Sequence, residues 1–398
     1  MRVLFISTHN FATNPRLVKE IELAIALQYE VTVVCFEFGK WSKQLNDAIY
    51  QRLKDNIHYY PLAGDRSAGW AWLASSLLGK MAPPVLKLFP RSTFFQSVFS
   101  NKRSWLLLRK LHRVTTPVDL VVAHNAGSFY PAMRFALQRN IPYGIDLEDY
   151  HPGEGTGAAY AQYVKALLKS VLPGSAYLSA AAPLILSHSL AGLPAFTGFK
   201  RVVLNYFPAK EFLAPKPPKP GRLKMVWFSQ QVSHGRGLEQ VVPWIVQHSA
   251  DMELHLFGNM NEAFYNEWLI DRDNIFVHGA LPQVALNAAL AEYDVGLAIE
   301  NNTSNLNREL CLTNKLLSYF QAGLYVFCSA TKAQEAFVKD HPGHGVITKL
   351  EAPSLAIAFT ALVADVDSIR ALRHHRFVKA RLNSWEGEAE KLKECWKK

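Results

Sequence analysis

Cysteine is scarce in this sequence, with only four cysteines among 398 residues. They are Cys35, Cys311, Cys328 and Cys395, and no two of them form a Cys-x-x-Cys pair. Without such spacing, the sequence indicates neither a zinc site nor a disulfide framework. We therefore expect reduced thiols and a cytoplasmic location.

Long apolar runs are also missing. No stretch reaches the roughly 18–20 apolar residues that a membrane-spanning helix needs. The first residues, MRVLFISTHN, turn polar too early for the apolar core of a signal peptide. We expect a protein that is soluble or that binds peripherally to the inner face of the membrane.

Acidic residues are outnumbered, with 33 Asp and Glu against 43 Lys and Arg, so the formal net charge is +10. A basic surface favours anionic partners, which include nucleic acids, anionic membranes and phosphorylated small molecules. The sequence has no zinc-finger spacing and no aromatic RNA-binding signature. Nucleic acid is therefore not an expected partner.

The length and the apolar pattern predict an α/β protein of two domains. A strand at 3–7, a helix from Leu17 to Leu27 and a strand at 30–36 form a first βαβ unit. The same alternation begins again at a strand over 224–229, after a segment rich in proline and lysine. We expect a Rossmann-like domain over 1–208, a linker over 209–222, a second Rossmann-like domain over 223–378, and a C-terminal helix over 379–398 that packs back on the first domain.

The segment 68–112 interrupts the first domain with alternating aromatic and basic residues. One interpretation is an element that binds a membrane surface or a lipid acceptor, with aromatic rings in the interface and cations on anionic head groups. The other is a pair of ordinary helices with basic outer faces. The sequence leaves both interpretations open.

In parallel sheets, ligands bind beyond the carboxyl ends of the strands, so the loops there contain the candidate site residues. Arg236 precedes a predicted helix whose free amides favour a phosphate, and Gly258 ends a predicted strand. Thr313 or Asn314 caps a further predicted helix, with Lys315 in its first turn. A surface arginine, a turn glycine and a solvated lysine are the simpler interpretations of Arg236, Gly258 and Lys315.

The stretch TNKLLSYFQAGLYVFCS, preceded by FVHGAL and DVGLAIE, resembles the nucleotide-sugar-binding half of the retaining GT-B glycosyltransferases (glycosyl transferases group 1), the glycogen-synthase and lipid-mannosyltransferase type. Lys315, Tyr319, Ala322 and Gly323 match that family's motif. The family has a pair of glutamates at the positions of Leu310 and Ser318, and Glu309 lies one position away.

The resemblance implies a GT-B fold, two doubly wound parallel-sheet domains that face each other across a cleft. A nucleotide-sugar donor would contact Arg236, Gly258, Thr313, Asn314, Lys315 and Ser318, with the diphosphate between Arg236 and Lys315. His124 and Glu309 would be catalytic residues, although a histidine that ends a strand is also commonly a packed one. Members of the family generally need no metal, so we expect neither a metal nor another cofactor.

The acceptor, a glycan or a lipid-linked molecule, is expected to contact loops of the first domain. DLEDYHPGEG contributes Asp146, Glu148, Asp149 and His151, and the loop after the first strand contributes Asn14 and Arg16. Such an acidic cluster is also compatible with a solvated loop or with a metal site.

The family resemblance implies transfer of a sugar with retention, in the synthesis of a cell-surface polysaccharide or a lipid-linked glycan. Two alternatives remain open. The missing glutamates are compatible with a protein that binds a nucleotide-sugar without turnover. A nucleotide-sugar epimerase would use the same architecture without an acceptor.

Overall fold

The structure, a computed structural model, describes residues 1–39, 42–155, 157–193, 196–218, 220–301 and 305–398. The chain forms two compact units. The first unit comprises Met1–Val203 and Ala389–Lys398, and the second comprises Leu204–Glu388. The predicted linker over 209–222 includes Lys219, which lies outside the described residues.

The first unit is built on a parallel sheet. Its strands are β1 (Arg2–Ser7), β2 (Glu30–Glu37), β3 (Ile57–Ala63), β4 (Leu120–His124), β5 (Tyr143–Leu147), β6 (Tyr177–Ala180) and β7 (Phe199–Val202). They lie in the order β3-β2-β1-β4-β5-β6-β7. The central strands are apolar and buried on both faces, as expected for a sheet covered by helices on each side.

The helices of the first unit are α1 (Pro15–Ala26), α2 (Lys43–Leu53), α3 (Trp70–Leu88), α4 (Thr93–Ser100), α5 (Arg103–Leu111), α6 (Ala126–Arg139), α7 (Ala158–Val171) and α8 (Pro183–Leu190). Asn14 caps α1, since its side chain accepts a hydrogen bond from the amide of Leu17, and Pro15 occupies the first helical position. Throughout the described part of the chain, no helix combines the length and the apolar content needed to cross a membrane.

The second unit has its own parallel sheet. Its strands are β8 (Leu223–Val232), β9 (Met252–Met260), β10 (Ile275–His278), β11 (Val295–Ala298), β12 (Tyr325–Ser329) and β13 (Gly345–Thr348). They lie in the order β10-β9-β8-β11-β12-β13. Met225 and Trp227 of β8 belong to one apolar cluster, and the alternate residues Val226 and Phe228 belong to another. The sheet is therefore covered on both faces.

The helices of the second unit are α9 (Leu238–Gln247), α10 (Glu262–Phe264), α11 (Gln283–Ala289), α12 (Leu306–Leu310), α13 (Asn314–Gln321), α14 (Lys332–Asp340), α15 (Ala352–Ala364), α16 (Val366–Ala371) and α17 (Arg373–Ala380). Helix α10 continues into a π-helix, Tyr265–Leu269. The last helix, α18 (Trp385–Trp396), begins in the second unit and ends in the first. In the first unit, the indole nitrogen of Trp396 donates a hydrogen bond to the hydroxyl of Tyr177 at 3.0 Å, and its ring meets the edge of Phe5.

Three local features differ from the sequence-based expectation. Strand β8 extends to Val232 instead of ending at 229, because a bulge between Phe228 and Gln231 lets it continue pairing with β9. Three helices, α3 to α5, occupy the segment 68–112 instead of two. Strand β3 has no predicted counterpart; it lies at the sheet edge and is only partly buried, so it lacks the continuous apolar run of the central strands.

Candidate functional site

The carboxyl ends of β4, β5 and β6 bring polar residues together in the first unit. The strand register pairs His124 with Asp146 and Asp146 with Ser179. Because the strands are parallel, these side chains reach the same edge of the sheet. All three residues are fully buried.

Arg16 of α1 joins this group and is itself buried. Its Nε and Nη2 donate to the two carboxylate oxygens of Asp146, the second at 2.8 Å. Its Nη1 donates to the carbonyl oxygen of Val203 at 2.6 Å, and the hydroxyl of Ser179 donates to Asp146 at 2.7 Å. The bidentate geometry fixes both the guanidinium and the carboxylate.

His124 lies between three carboxylates. Its Nδ1 is 2.7 Å from Oε1 of Glu148 and 3.4 Å from Oδ2 of Asp146. Its Nε2 is 3.6 Å from Oε2 of Glu20. The side chain of His124 has no exposed surface, whereas that of its partner Glu148 is 15% exposed.

Two members of this cluster, Ser179 and Glu20, were not predicted from the sequence, and the charged one is Glu20. It lies on α1, four residues after Arg16, and is fully buried. Neither of its carboxylate oxygens has a hydrogen-bond partner among the described residues. The signal was present in the spacing, because Glu20 lies three positions after Leu17 and four before Ala24 and so shares a helical face with these buried apolar residues.

The charged groups of the cluster shift one another's pKa values. Burial disfavours the imidazolium, but Glu20, Asp146 and Glu148 outweigh it and hold the pKa of His124 well above its usual 6.5. Burial likewise disfavours the carboxylate of Asp146, yet Arg16 and His124 hold its pKa below the usual range. For Glu20, burial and the charge of Asp146 prevail, so its pKa is raised. The surrounding carboxylates therefore favour the charged form of His124.

Glu20, His124 and Asp146 also have the ligand types of a metal site, with ligand atoms within 4.8 Å of one another. However, both oxygens of Asp146 accept hydrogen bonds from Arg16, whose guanidinium also lies 3.8 Å from Glu20. A divalent cation would compete with that guanidinium for the same carboxylates. This donor set suits the arginine rather than a metal.

The remaining residues predicted for the acceptor side surround this cluster. Asn14 donates to Oε1 of Glu148 at 2.6 Å. His151 is buried with its Nδ1 2.9 Å from Glu154; burial lowers its pKa, but Glu154, Asp149 and Glu148 outweigh that effect and raise it. Asp149, in the same loop, is partly exposed.

In the second unit, the start of α13 supplies the candidate donor contacts. Thr313 caps the helix, since its hydroxyl accepts from the amide of Leu316. The Nζ of Lys315 lies 3.0 Å from Oε1 of Glu300 and 5.4 Å from the ring centre of Trp227. Asn314 accepts a hydrogen bond from Asn205 at 2.7 Å.

At the two positions where the family that the sequence resembles has glutamates, this chain has Leu310 and Ser318. Leu310 is fully buried. Ser318 is buried too, and its hydroxyl donates to Oδ1 of Asn287 at 3.1 Å. Glu309 is partly buried, and its Oε2 accepts from the amide of Lys332, at the start of α14.

The loop after β8 is shorter than expected, because the strand reaches Val232. Arg236 is partly buried there and makes no ion pair with any described residue. Gly258 lies on β9, where an added Cβ would come within 2.2 Å of the carbonyl oxygen of Ser229. The close approach of β8 and β9 is thus sufficient reason for a glycine at 258, with or without a ligand.

Comparison with known proteins gives matches at the level of structure. No protein-family model and no curated protein matches the sequence. Sucrose-phosphate synthase from Thermosynechococcus elongatus matches with a TM-score of 0.69 at 12% identity, over 100% of this chain and 98% of that one. HepE from Anabaena, in complex with UDP, matches with a TM-score of 0.66 at 14% identity, over 100% of both chains.

The lipopolysaccharide outer core galactosyltransferase WaaB matches with a TM-score of 0.58 at 11% identity, over 99% of both chains. These proteins are GT-B glycosyltransferases, and the two Rossmann-like parallel sheets of this chain correspond to theirs. The expectation of a GT-B fold is confirmed.

Proposed function

We propose that this protein transfers a sugar from a nucleotide-sugar to an acceptor hydroxyl, with retention of the anomeric configuration. The observation that carries the proposal is the structural match over the whole chain to GT-B glycosyltransferases, among them HepE bound to UDP. We take a UDP-sugar as the first donor to test, because the HepE structure contains bound UDP.

The donor diphosphate binds, in this proposal, at the carboxyl edge of the second sheet. Arg236 offers a guanidinium without an ion-pair partner among the described residues, and Lys315 adds a partly exposed ammonium at the start of α13. Both groups would stabilise the negative charge that develops on the leaving diphosphate. Thr313 and Asn314 would orient the phosphates. Ser318 is buried and would contact the ribose if its hydroxyl turned away from Asn287.

We assign recognition of the acceptor to the first unit. Glu148 and Asp149 are the partly exposed members of the acidic loop, so we assign contacts with acceptor hydroxyls to them. His124, Arg16 and Asp146 are completely or almost completely buried, and we assign them the positioning of Glu148 rather than contact with the acceptor. Glu309, predicted as catalytic, is retained as a donor-sugar contact, and we name no nucleophilic carboxylate.

The setting we propose is the synthesis of a cell-surface polysaccharide or a lipid-linked glycan at the inner face of the membrane. The basic and aromatic helices α3 to α5 support it, because an acceptor anchored in lipid requires the protein to work at a membrane surface. The acceptor is then a glycan or a lipid-linked molecule.

A second function, nucleotide-sugar binding without turnover, is favoured by one observation. Leu310 is buried, and the hydroxyl of Ser318 donates to Asn287. Neither position therefore has the glutamate carboxylate found there in the family that the sequence resembles. Such a protein would bind the donor and release no nucleotide.

The test is a thermal-shift screen of the full chain against UDP-, GDP-, ADP-, CMP- and dTDP-sugars, followed by measurement of nucleotide release with lipid and glycan acceptors. A ligand that binds only the folded state raises the melting temperature. Stabilisation by one nucleotide together with acceptor-dependent release supports the transferase. Stabilisation without release under any acceptor supports the binding protein, and the absence of stabilisation by every donor overturns both.

A further inference from the structure

Helix α3 has an apolar outer face. Its exposed apolar side chains recur every three or four positions, or at twice that spacing, and so form one stripe along the helix. They are Trp70 (75% exposed), Leu73 (58%), Leu77 (60%), Met81 (45%) and Leu88 (77%). The opposite face, with Ser75, Ala82 and Leu86, is buried against the first unit. A stripe of this length is unusual on a soluble surface and indicates a partner.

The charge around this stripe is of one sign. Residues 66–118 contain no Asp or Glu, whereas they contain Arg66, Lys80, Lys87, Arg91, Lys102, Arg103, Arg109, Lys110 and Arg113. This segment accounts for nine of the ten net positive charges, and the rest of the chain is almost neutral. The partner of this surface is therefore anionic as well as apolar.

The cations are placed for such a partner. Lys80 and Lys87 are exposed, seven positions apart, and lie along one border of the stripe. Beside it, a groove of about 720 Å³ is lined by Leu73, Leu77, Lys80 and Lys102 among others. Apolar surface bordered by lysines is the arrangement of a helix that lies in the plane of a membrane interface.

We propose that the outer face of α3 binds the surface of an anionic lipid bilayer, with Trp70, Leu73, Leu77, Met81 and Leu88 in the interface and Lys80 and Lys87 on the head groups. This assigns a surface to the membrane setting proposed above. It does not depend on transferase activity, so either proposal can fail without the other.

The experiment is co-sedimentation of the full chain with vesicles of phosphatidylglycerol and phosphatidylethanolamine, compared with vesicles of phosphatidylcholine alone. Binding to the anionic vesicles is expected, with much weaker binding to the neutral ones and a decrease as salt is added. The double variant Leu73→Ser/Leu77→Ser should bind at least about tenfold more weakly, because two exposed leucines no longer enter the interface. Lys80→Gln/Lys87→Gln should bind about fivefold more weakly for each lysine lost.

Matched controls lie in the second unit. Ile357 (74% exposed) and Leu382 (87%) are equally apolar and exposed, so Ile357→Ser/Leu382→Ser should bind vesicles as the wild type does. Unchanged melting temperatures establish that all the variants are folded. Equal binding by the α3 variants and the controls would overturn the proposal. It would also be overturned if the wild type formed a dimer that the leucine variant lost, with no binding to vesicles, since the stripe would then join two copies.

Discussion

At the carboxyl edge of the first sheet, the charged residues Arg16, Glu20, His124, Asp146 and Glu148 each lie within 4 Å of an opposite charge. At the edge of the second sheet, Arg236 has no ion-pair partner among the described residues, and Lys315 has Glu300 while remaining partly exposed. The first arrangement holds its own groups in place. The second leaves positive charge available to an anion. The two sheets share one architecture, so the difference arises from a few side chains at the strand ends and not from the fold.

The largest effect should follow from removing the central cation of the first cluster. Arg16→Met leaves Asp146 and Glu20 buried without their guanidinium, and we expect a loss of about 3–5 kcal/mol in the free energy of unfolding. Urea unfolding measures it. The control is Arg52→Met, because the Arg52–Glu22 pair is exposed and should contribute no more than about 1 kcal/mol. An equal loss of unfolding free energy in Arg16→Met and Arg52→Met would mean that the buried ion pairs of Arg16 do not stabilise the cluster.

The next effect depends on pH. Because the pKa of His124 is raised on folding, its charge stabilises the protein fully below the unfolded pKa near 6.5, and that stability is lost as the pH rises through the folded pKa. His124→Gln should therefore cost about 1.5–3 kcal/mol at pH 6 and less at pH 9. Urea unfolding at the two pH values gives the comparison. A cost that does not change with pH would contradict a charged His124.

If His124 positions Glu148, its loss should also alter the pH profile of turnover while leaving the affinity for the donor unchanged. The profile is measured as kcat against pH, with the Kd for the nucleotide-sugar determined in parallel. An unaltered profile at full activity would remove His124 from the mechanism.

Removing the positive charge of Lys315 or Arg236, both in the second unit, should act on binding instead of stability. Lys315→Ala and Arg236→Ala should each weaken nucleotide-sugar binding by about 1–3 kcal/mol, since each removes a charged partner of the diphosphate. Isothermal titration calorimetry measures the change, with Lys339→Ala, an exposed lysine of α14, as the control. Unchanged affinity in both variants would refute the donor site.

The smallest effect is expected at Ser318. Ser318→Ala should cost about 1 kcal/mol of stability or less, because Oδ1 of Asn287 keeps a second donor, Gln283. If the hydroxyl remains bonded to Asn287, the affinity for the donor should not change. A tenfold weaker Kd would instead show that Ser318 turns to the ribose.

The sequence predicted the positions of strands and helices better than it predicted which side chains pair at the strand ends. Strand β4 ending at His124 and helix α13 starting near Lys315 follow from apolar periodicity and capping residues, which are local. The pairing of Arg16 with Asp146 joins residues 130 positions apart, and only the register of β1, β4 and β5 brings them together. Glu20 was overlooked because a single carboxylate on an apolar helix face looks like an interruption until its histidine partner is known.

The return of residues 389–398 to the first unit has a consequence for the way the protein is made. The ribosome finishes Val203 long before it reaches Trp396, and synthesis of the intervening second unit takes on the order of 10–40 s. During that interval the hydroxyl of Tyr177 lacks the indole N–H that donates to it in the finished protein, and Phe5 has the ring of His124 but not that of Trp396 beside it. The packing around β1 is thus completed only after the second unit has been synthesised, and removal of residues 389–398 would affect the folding of the first unit.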